Sequence, residues 1–313
     1  MFQGKLKTPL NIHFEVEQQW GQEPESNLSG ITESKEHFRQ WFLSPVNLIK
    51  TNEDMKRHFW LWMILPMIAI GFTSCSEDDE PEIPWYEDIA TLQSDYAKAL
   101  IDAQYPDASK VSTTLMPISE SNPELEWITV DGKKMVLVCV ITNQPSLKFW
   151  AATDTFRLSK QTGLWVTLPQ EWKHRAGQYA GMDSVTSRFR MIQMLGLYPD
   201  CDYDTVIEFY VDASMLFRPS FNPDITTTTS VTSFPSWAGE SYTVGITKFR
   251  EWFAYQKSVA YEGPYACPWT QLGYTYDWHH GAPRQGLSEY IATVGALAKI
   301  KTRQGSWTFI KSR

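Results

Sequence analysis

The chain has 313 residues, 42% hydrophobic and 20% charged, so it can bury a substantial core and is not a disordered tail. Its formal charge of −8, with no dense Lys/Arg run, argues against a nucleic-acid-binding surface. Four cysteines without a Cys-x-x-Cys pair argue against a structural zinc site.

Residues 1–54 are polar and weakly patterned, and the first strong signal follows them. Lys56 and Arg57 form a positive cluster, and Phe59 to Phe72 is an uncharged apolar run. A bilayer-spanning helix needs about 18 or more apolar residues, so this run fits the central region of a signal peptide. Gly71, Thr73 and Ser74 place small residues just before Cys75, and Ser76-Glu77-Asp78-Asp79-Glu80 follows it. This order resembles the lipobox and acidic export signal of surface lipoproteins of the Bacteroidetes group, over residues 55–80. The resemblance implies lipidation of Cys75, a signal peptide at 55–74 and an acidic tether at 75–84. It also implies an outer-membrane location at the cell surface, with the membrane as partner through the lipid anchor. Met55 is then the expected start, and 1–54 an untranslated upstream extension. Several acyl chains contribute about 0.8 kcal/mol per buried CH₂, enough for permanent attachment.

The remainder, 85–313, reads as a single α+β domain with a mostly antiparallel sheet and several flanking helices; 85–150 is a candidate subdomain. Apolar residues from Trp85 to Ala103 recur at helical spacing, predicting a helix over 85–104. Leu125–Val130, Asp131-Gly132 and Lys133–Ile141 predict a β-hairpin with a tight turn. Gly163–Leu168 reads as a strand, and Pro169–Ala176 as a short helix with proline in its first turn. Asp183 or Ser184 caps a second helix. Thr205–Val211 reads as a strand, Thr226–Ser230 as a polar loop and Lys248–Tyr261 as an amphipathic helix. Four strands are predicted at Gln271–Trp278, Ser288–Ala292, Leu297–Lys301 and Ser306–Lys311. Cys139 lies in the apolar run Val136–Val140 and reads as a buried small hydrophobe. Pairing of Cys201 with Cys267 stays open.

There is no Gly-x-Ser-x-Gly, His-Glu-x-x-His, Walker loop, Gly-x-Gly-x-x-Gly or EF-hand loop. The densest cluster of functional side chains is Trp269 to His280. As a strand, 271–278 would put Leu272, Tyr274, Tyr276 and Trp278 on one aromatic face, either packed in the core or exposed to stack against sugar rings. Trp269, Trp278, His279 and His280 are therefore candidate ligand-binding residues. Asp277 with the two histidines matches a metal set only loosely, and no metal is expected. Glu208, inside Val-Ile-Glu-Phe-Tyr, is a candidate acid, and with Glu289 it would make a glycosidase-like pair if the two met.

Glu289 opens a strand that runs through a Gly-containing turn into a second strand, Ser288–Ile300. This is similar to the C-terminal pattern of ADP-ribosyltransferase-like folds. The resemblance implies Glu289 as catalytic carboxylate, Tyr274 or Tyr276 near the nicotinamide, Arg157 as the first-strand cation, and NAD as the one cofactor. The family's Ser-Thr-Ser strand is missing. Two readings result: an anchored binding or interaction protein with a glycan or protein ligand and no cofactor, or an NAD-cleaving enzyme or toxin domain.

Overall fold

The computed structural model describes residues 84–150, 155–263 and 266–313. The signal segment, Cys75, the acidic run and residues 1–54 lie outside the described residues. The elements, in order, are helix α1 (Ile89–Ala103), strands β1 (Trp127–Val130), β2 (Lys133–Thr142), β3 (Thr155–Arg157) and β4 (Leu164–Thr167), and helices α2 (Pro169–His174) and α3 (Ser184–Met194). They continue with β5 (Thr205–Asp212), β6 (Leu216–Phe217), β7 (Thr243–Val244), β8 (Thr247–Lys248), α4 (Phe249–Val259), β9 (Tyr274–Tyr276), β10 (Gln285–Ala292), β11 (Leu297–Gly305) and α5 (Ser306–Lys311). No helix among the described residues is long and apolar enough to cross a membrane.

The fold is α+β. Nine strands form one antiparallel sheet in the order β3-β11-β5-β2-β4-β10-β6, with β1 on β2 and β9 on β10. Because β2 lies between β5 and β4, residues 85–150 contribute to the centre of the sheet and are not a separate subdomain. All four flanking strands are short: β3 has three residues, β6 two, β1 four and β9 three.

Alternation along the strands sorts the core into two layers. Val136, Val138, Ile207, Phe209, Val166 and Tyr290 share one face, covered mainly by irregular chain carrying Met116, Ile118 and Leu125. Cys139, Val206 and Leu287 share the other face, beneath Trp172 of α2, Met191 and Met194 of α3 and Phe309 of α5. Near its edge, Ile291 meets Phe249, Trp252 and Phe253 of α4. Helix α1 packs Leu92, Tyr96, Ala99 and Ala103 against Phe189, Tyr276 and Trp278.

Local chemistry explains most boundaries. Asp131 and Gly132 take φ of 50° and 76°, the left-handed pair that joins β1 to β2. The Asp183 side chain accepts from Val185 N and Thr186 N, and the Thr186 side chain bonds back, forming a capping box at the start of α3. Two strand expectations are corrected. The strand expected over 271–278 shrinks to Tyr274–Tyr276, because Gln271 and Gly273 hold φ of 61° and 83° and break the extended path. Ser306–Lys311 is helix rather than strand. Its inward residues, Ser306 and Phe309, stand three apart, and Phe309 fits edge-on to Trp172, with centroids 5.7 Å apart.

Cys139 is buried in β2, as its surroundings suggest, and Cys139, Cys201 and Cys267 are all free thiols. At Gly286 of β10 an added Cβ would lie 2.3 Å from Thr275 Oγ1 and 2.4 Å from Met194 O. Those atoms hydrogen bond to each other at 2.6 Å, and parting them to admit the methyl group would break that bond. Gly286→Ala is expected to cost about 1–3 kcal/mol, read as a lower midpoint in urea unfolding with unchanged slope.

Candidate functional site

The aromatic cluster at 269–278 belongs to the core. Trp269 and Trp278 are each 3% exposed, and their indole N–H groups donate to Pro219 O at 2.9 Å and Leu197 O at 2.8 Å. The hydroxyls of Tyr274 and Tyr276 donate to Lys110 O at 2.8 Å and Asp102 Oδ2 at 3.0 Å. None of these rings offers a free face, so the exposed platform expected here is not formed by them. Asp277 is engaged by Arg190, whose Nη1 and Nη2 reach its two carboxylate oxygens at 2.9 and 2.5 Å. His279 is half-buried against Trp85, and burial followed by the Arg190 charge lowers its pKa. His280 is exposed, 3.4 Å from Asp95 Oδ2. Among the described residues no group of three His, Cys, Asp or Glu side chains is placed to hold a metal.

The two glutamates do not meet. Register places Glu208, Cys139, Thr167 and Glu289 in one row across β5, β2, β4 and β10. Three strand spacings separate the ends, roughly 14 Å. A retaining glycosidase pair needs about 5–5.5 Å and an inverting pair about 6.5–9.5 Å. Glu208 is instead ion-paired with Arg313 and accepts hydrogen bonds from Thr302 Oγ1 at 2.7 Å and Gln304 Nε2 at 3.1 Å. Glu289 is buried, and its Oε1 has no hydrogen-bond partner. Burial raises its pKa to about 8, and the Arg218 charge only partly offsets this. Arg157 is on the edge strand β3 and donates to Gly295 O at 2.9 Å.

Two clefts stand out, and their principal residues were not among the sequence candidates. The first encloses about 430 Å³ beside the β7–β8 hairpin, lined by Ser214, Asp224, Trp237, Tyr242 and Thr243 among others. Trp237 is 51% exposed and meets Tyr242 edge-on, with centroids 5.2 Å apart. Burial and then the nearby Asp224 charge raise the Tyr242 pKa, so carboxylate and phenol act on one another here. Asp224 Oδ1 accepts from Thr226 N at 2.8 Å and Thr226 Oγ1 at 2.7 Å, which fixes the carboxylate. The available sequence signal was a lone Trp among turn formers, Phe-Pro-Ser-Trp-Ala-Gly.

The second cleft encloses about 460 Å³ between the strap 113–124 and α2, with Glu171 at its floor and His174 and Glu124 at its mouth. Strand β4 stops at Thr167, leaving the Ser288 N–H of β10 beyond the ladder. Glu171 takes its place as acceptor: Ser288 N donates to Oε2 at 2.8 Å and Ser288 Oγ to Oε1 at 3.1 Å. Ser288 Oγ in turn accepts from Met116 N at 2.8 Å, tying the strap to the sheet. Burial raises the Glu171 pKa to about 7 against the lowering effects of the Ser288 bonds, Arg175 and Arg218. Arg218 lies over the Tyr290 ring at 4.9 Å, and its Nε and Nη2 are committed to the carbonyls of Met116, Asp224, Ile225 and Thr227. His174 Nε2 is 2.6 Å from Glu124 Oε2.

Glu289 lines neither cleft, so a dinucleotide held in either would not meet its carboxyl. Compared with protein-family models, with curated proteins and with solved structures, the chain shows no match.

Proposed function

We propose that the chain is a lipid-anchored protein of the outer cell surface, acylated at Cys75, whose folded part binds a glycan in the Trp237 cleft. The observation that carries the glycan reading is the half-exposed Trp237 ring beside Tyr242 and a fixed Asp224 carboxylate. A sugar ring presents C–H bonds on its face and hydroxyls at its rim. The indole supports the face, while Asp224 and the Ser214 and Thr243 hydroxyls suit the rim. The anchor reading rests on the ordered signal at 55–80 and would hold such a cleft toward polymers outside the cell.

A glycan array followed by titration against the best hit tests the cleft. Trp237→Ala is expected to weaken binding at least tenfold, as loss of a stacked aromatic costs about 1–3 kcal/mol, without lowering Tm. Full binding by the variant, or no binding by the parent across the array, would reject the glycan reading. The anchor is tested separately. Labelled palmitate should enter the parent and not a Cys75→Ala form, and equal labelling of the two would reject acylation at Cys75.

A further inference from the structure

We propose that the Glu171 cleft is a second binding site, specific for a primary ammonium group on a small hydroxylated molecule such as an amino polyol or amino sugar. Glu171 is its counter-ion, and the 113–124 strap supplies hydroxyl and carbonyl partners.

Glu171 is buried at the floor of the cleft, and both of its hydrogen bonds come from one neutral residue, Ser288. Among the described residues it has no ion-pair partner. Arg175 gives its Nη2 to Gly286 O at 2.6 Å; Arg218 gives Nε and Nη2 to backbone carbonyls and its buried Nη1 is without a hydrogen bond, so both guanidinium charges act on Glu171 from a distance without pairing with it. Among the described residues neither Lys nor Arg lines the cleft, and His174, the basic side chain at its mouth, is already paired with Glu124. A carboxylate removed from water without a counter-ion is costly, so the group retains a proton instead. An arriving ammonium supplies the missing charge and displaces that proton.

The lining selects among cations. A compact divalent ion needs several anionic or imidazole ligands converging on one point, and no such group of three is present among the described residues. An ammonium donates three hydrogen bonds and needs one counter-charge; Glu171 supplies the charge, and the Thr and Ser hydroxyls of the lining are candidates for the further acceptors. Exposed Thr113, Thr114, Ser121 and Thr228 surround the opening, and a hydroxylated carrier matches them better than an alkyl one. The volume admits a single sugar-sized molecule.

Proton displacement gives a distinctive signature. The groups facing Glu171 are Arg175 at the end of α2, Arg218 after β6, Ser288 and Tyr290 on β10, and His174 and Glu124 at the rim. Because burial raises the Glu171 pKa to about 7, binding near neutral pH should release protons, and affinity should rise from pH 5.5 to 8.

The experiment is calorimetric titration of the full chain with 1-amino-1-deoxysorbitol and with its N-acetyl derivative, the same polyol without charge, in buffers of different ionisation heat. The amine is expected to bind at least tenfold more tightly than the amide, with proton release at pH 7. Glu171→Gln is expected to erase the difference. Equal affinities, absence of amine binding, amine binding without proton release, or a folded Glu171→Gln that still prefers the amine would each overturn the proposal. If that variant fails to fold, proton release in the parent decides. The result is independent of the Trp237 cleft, which is read with neutral glycans.

Discussion

Thermal stability is expected to fall as pH rises from about 5 to 9, and Glu289→Gln should remove much of that fall. Glu289 has a folded pKa of about 8 against an ordinary value of 4.5, because burial opposes its charge. Below 4.5 the carboxyl is protonated in both states and no penalty exists. Above it the unfolded chain ionises freely while the folded one must keep the proton, so stability drops until the folded group ionises near pH 8. Each such unit costs about 1.4 kcal/mol per group. Glu171 adds to the slope up to about pH 7. A carboxamide fills the same space without ionising. At pH 8.5 the difference is worth about 5 kcal/mol, and an amide at a position where Oε1 has no hydrogen-bond partner gives back about 1–3 of it, so Glu289→Gln should gain on the order of 3 kcal/mol, about 6–12 °C in Tm for a domain of this size. Differential scanning calorimetry from pH 5 to 9 checks this. A flat parental profile, or a variant curve parallel to the parent, would show that Glu289 is not a retained proton.

Loss of either member of the Arg190–Asp277 pair should be the most damaging single change away from the clefts. Both side chains are buried, and the guanidinium grips the carboxylate with two hydrogen bonds while also donating to Gln178 Oε1 at 2.5 Å. Asp277 Oδ1 further accepts from His279 N at 3.1 Å, so the pair fixes both α3 and the turn after β9. Arg190→Met alone strands a buried carboxylate and should cost about 3–5 kcal/mol. Arg190→Met combined with Asp277→Leu removes both charges and should recover most of that loss. Urea unfolding of the parent, the two single variants and the double variant closes the cycle. Simple addition of the two single losses would show that the residues act separately.

Local signals carried much of the architecture. The 3.6-residue spacing marks α1, Asp131-Gly132 marks the first hairpin, and Asp183 marks the start of α3, because each depends on chain neighbours alone. The errors arose where tertiary contacts decide. Ser306–Lys311 has β-type residues, yet it turns into a helix because Phe309 finds a pocket beside Trp172. Gln271 adopts a positive φ that its residue type does not advertise; its Nε2 donates to Tyr261 Oη at 2.7 Å and to Gln104 O at 3.3 Å. The site was less legible than the fold. Aromatic density singled out 269–278, but an aromatic run looks the same whether buried or exposed, and Trp237 lies outside it. Glu171 resembles an ordinary first-turn helix acid. Its role depends on a strand that ends at Thr167 and on a donor 117 residues away.

Two copies of this chain lying side by side could share backbone at one place. Extending a β-sheet from one molecule into the next requires a run of open N–H and C=O groups; three flanking strands offer two or three residues each, but β3 covers only Leu297–Lys299, so β11 runs on past it from Ile300 to Gly305. The exposed cations Lys299, Lys301 and Arg303 along β11 would set like charges against each other in such a pairing, which should discourage polymerisation through the sheet.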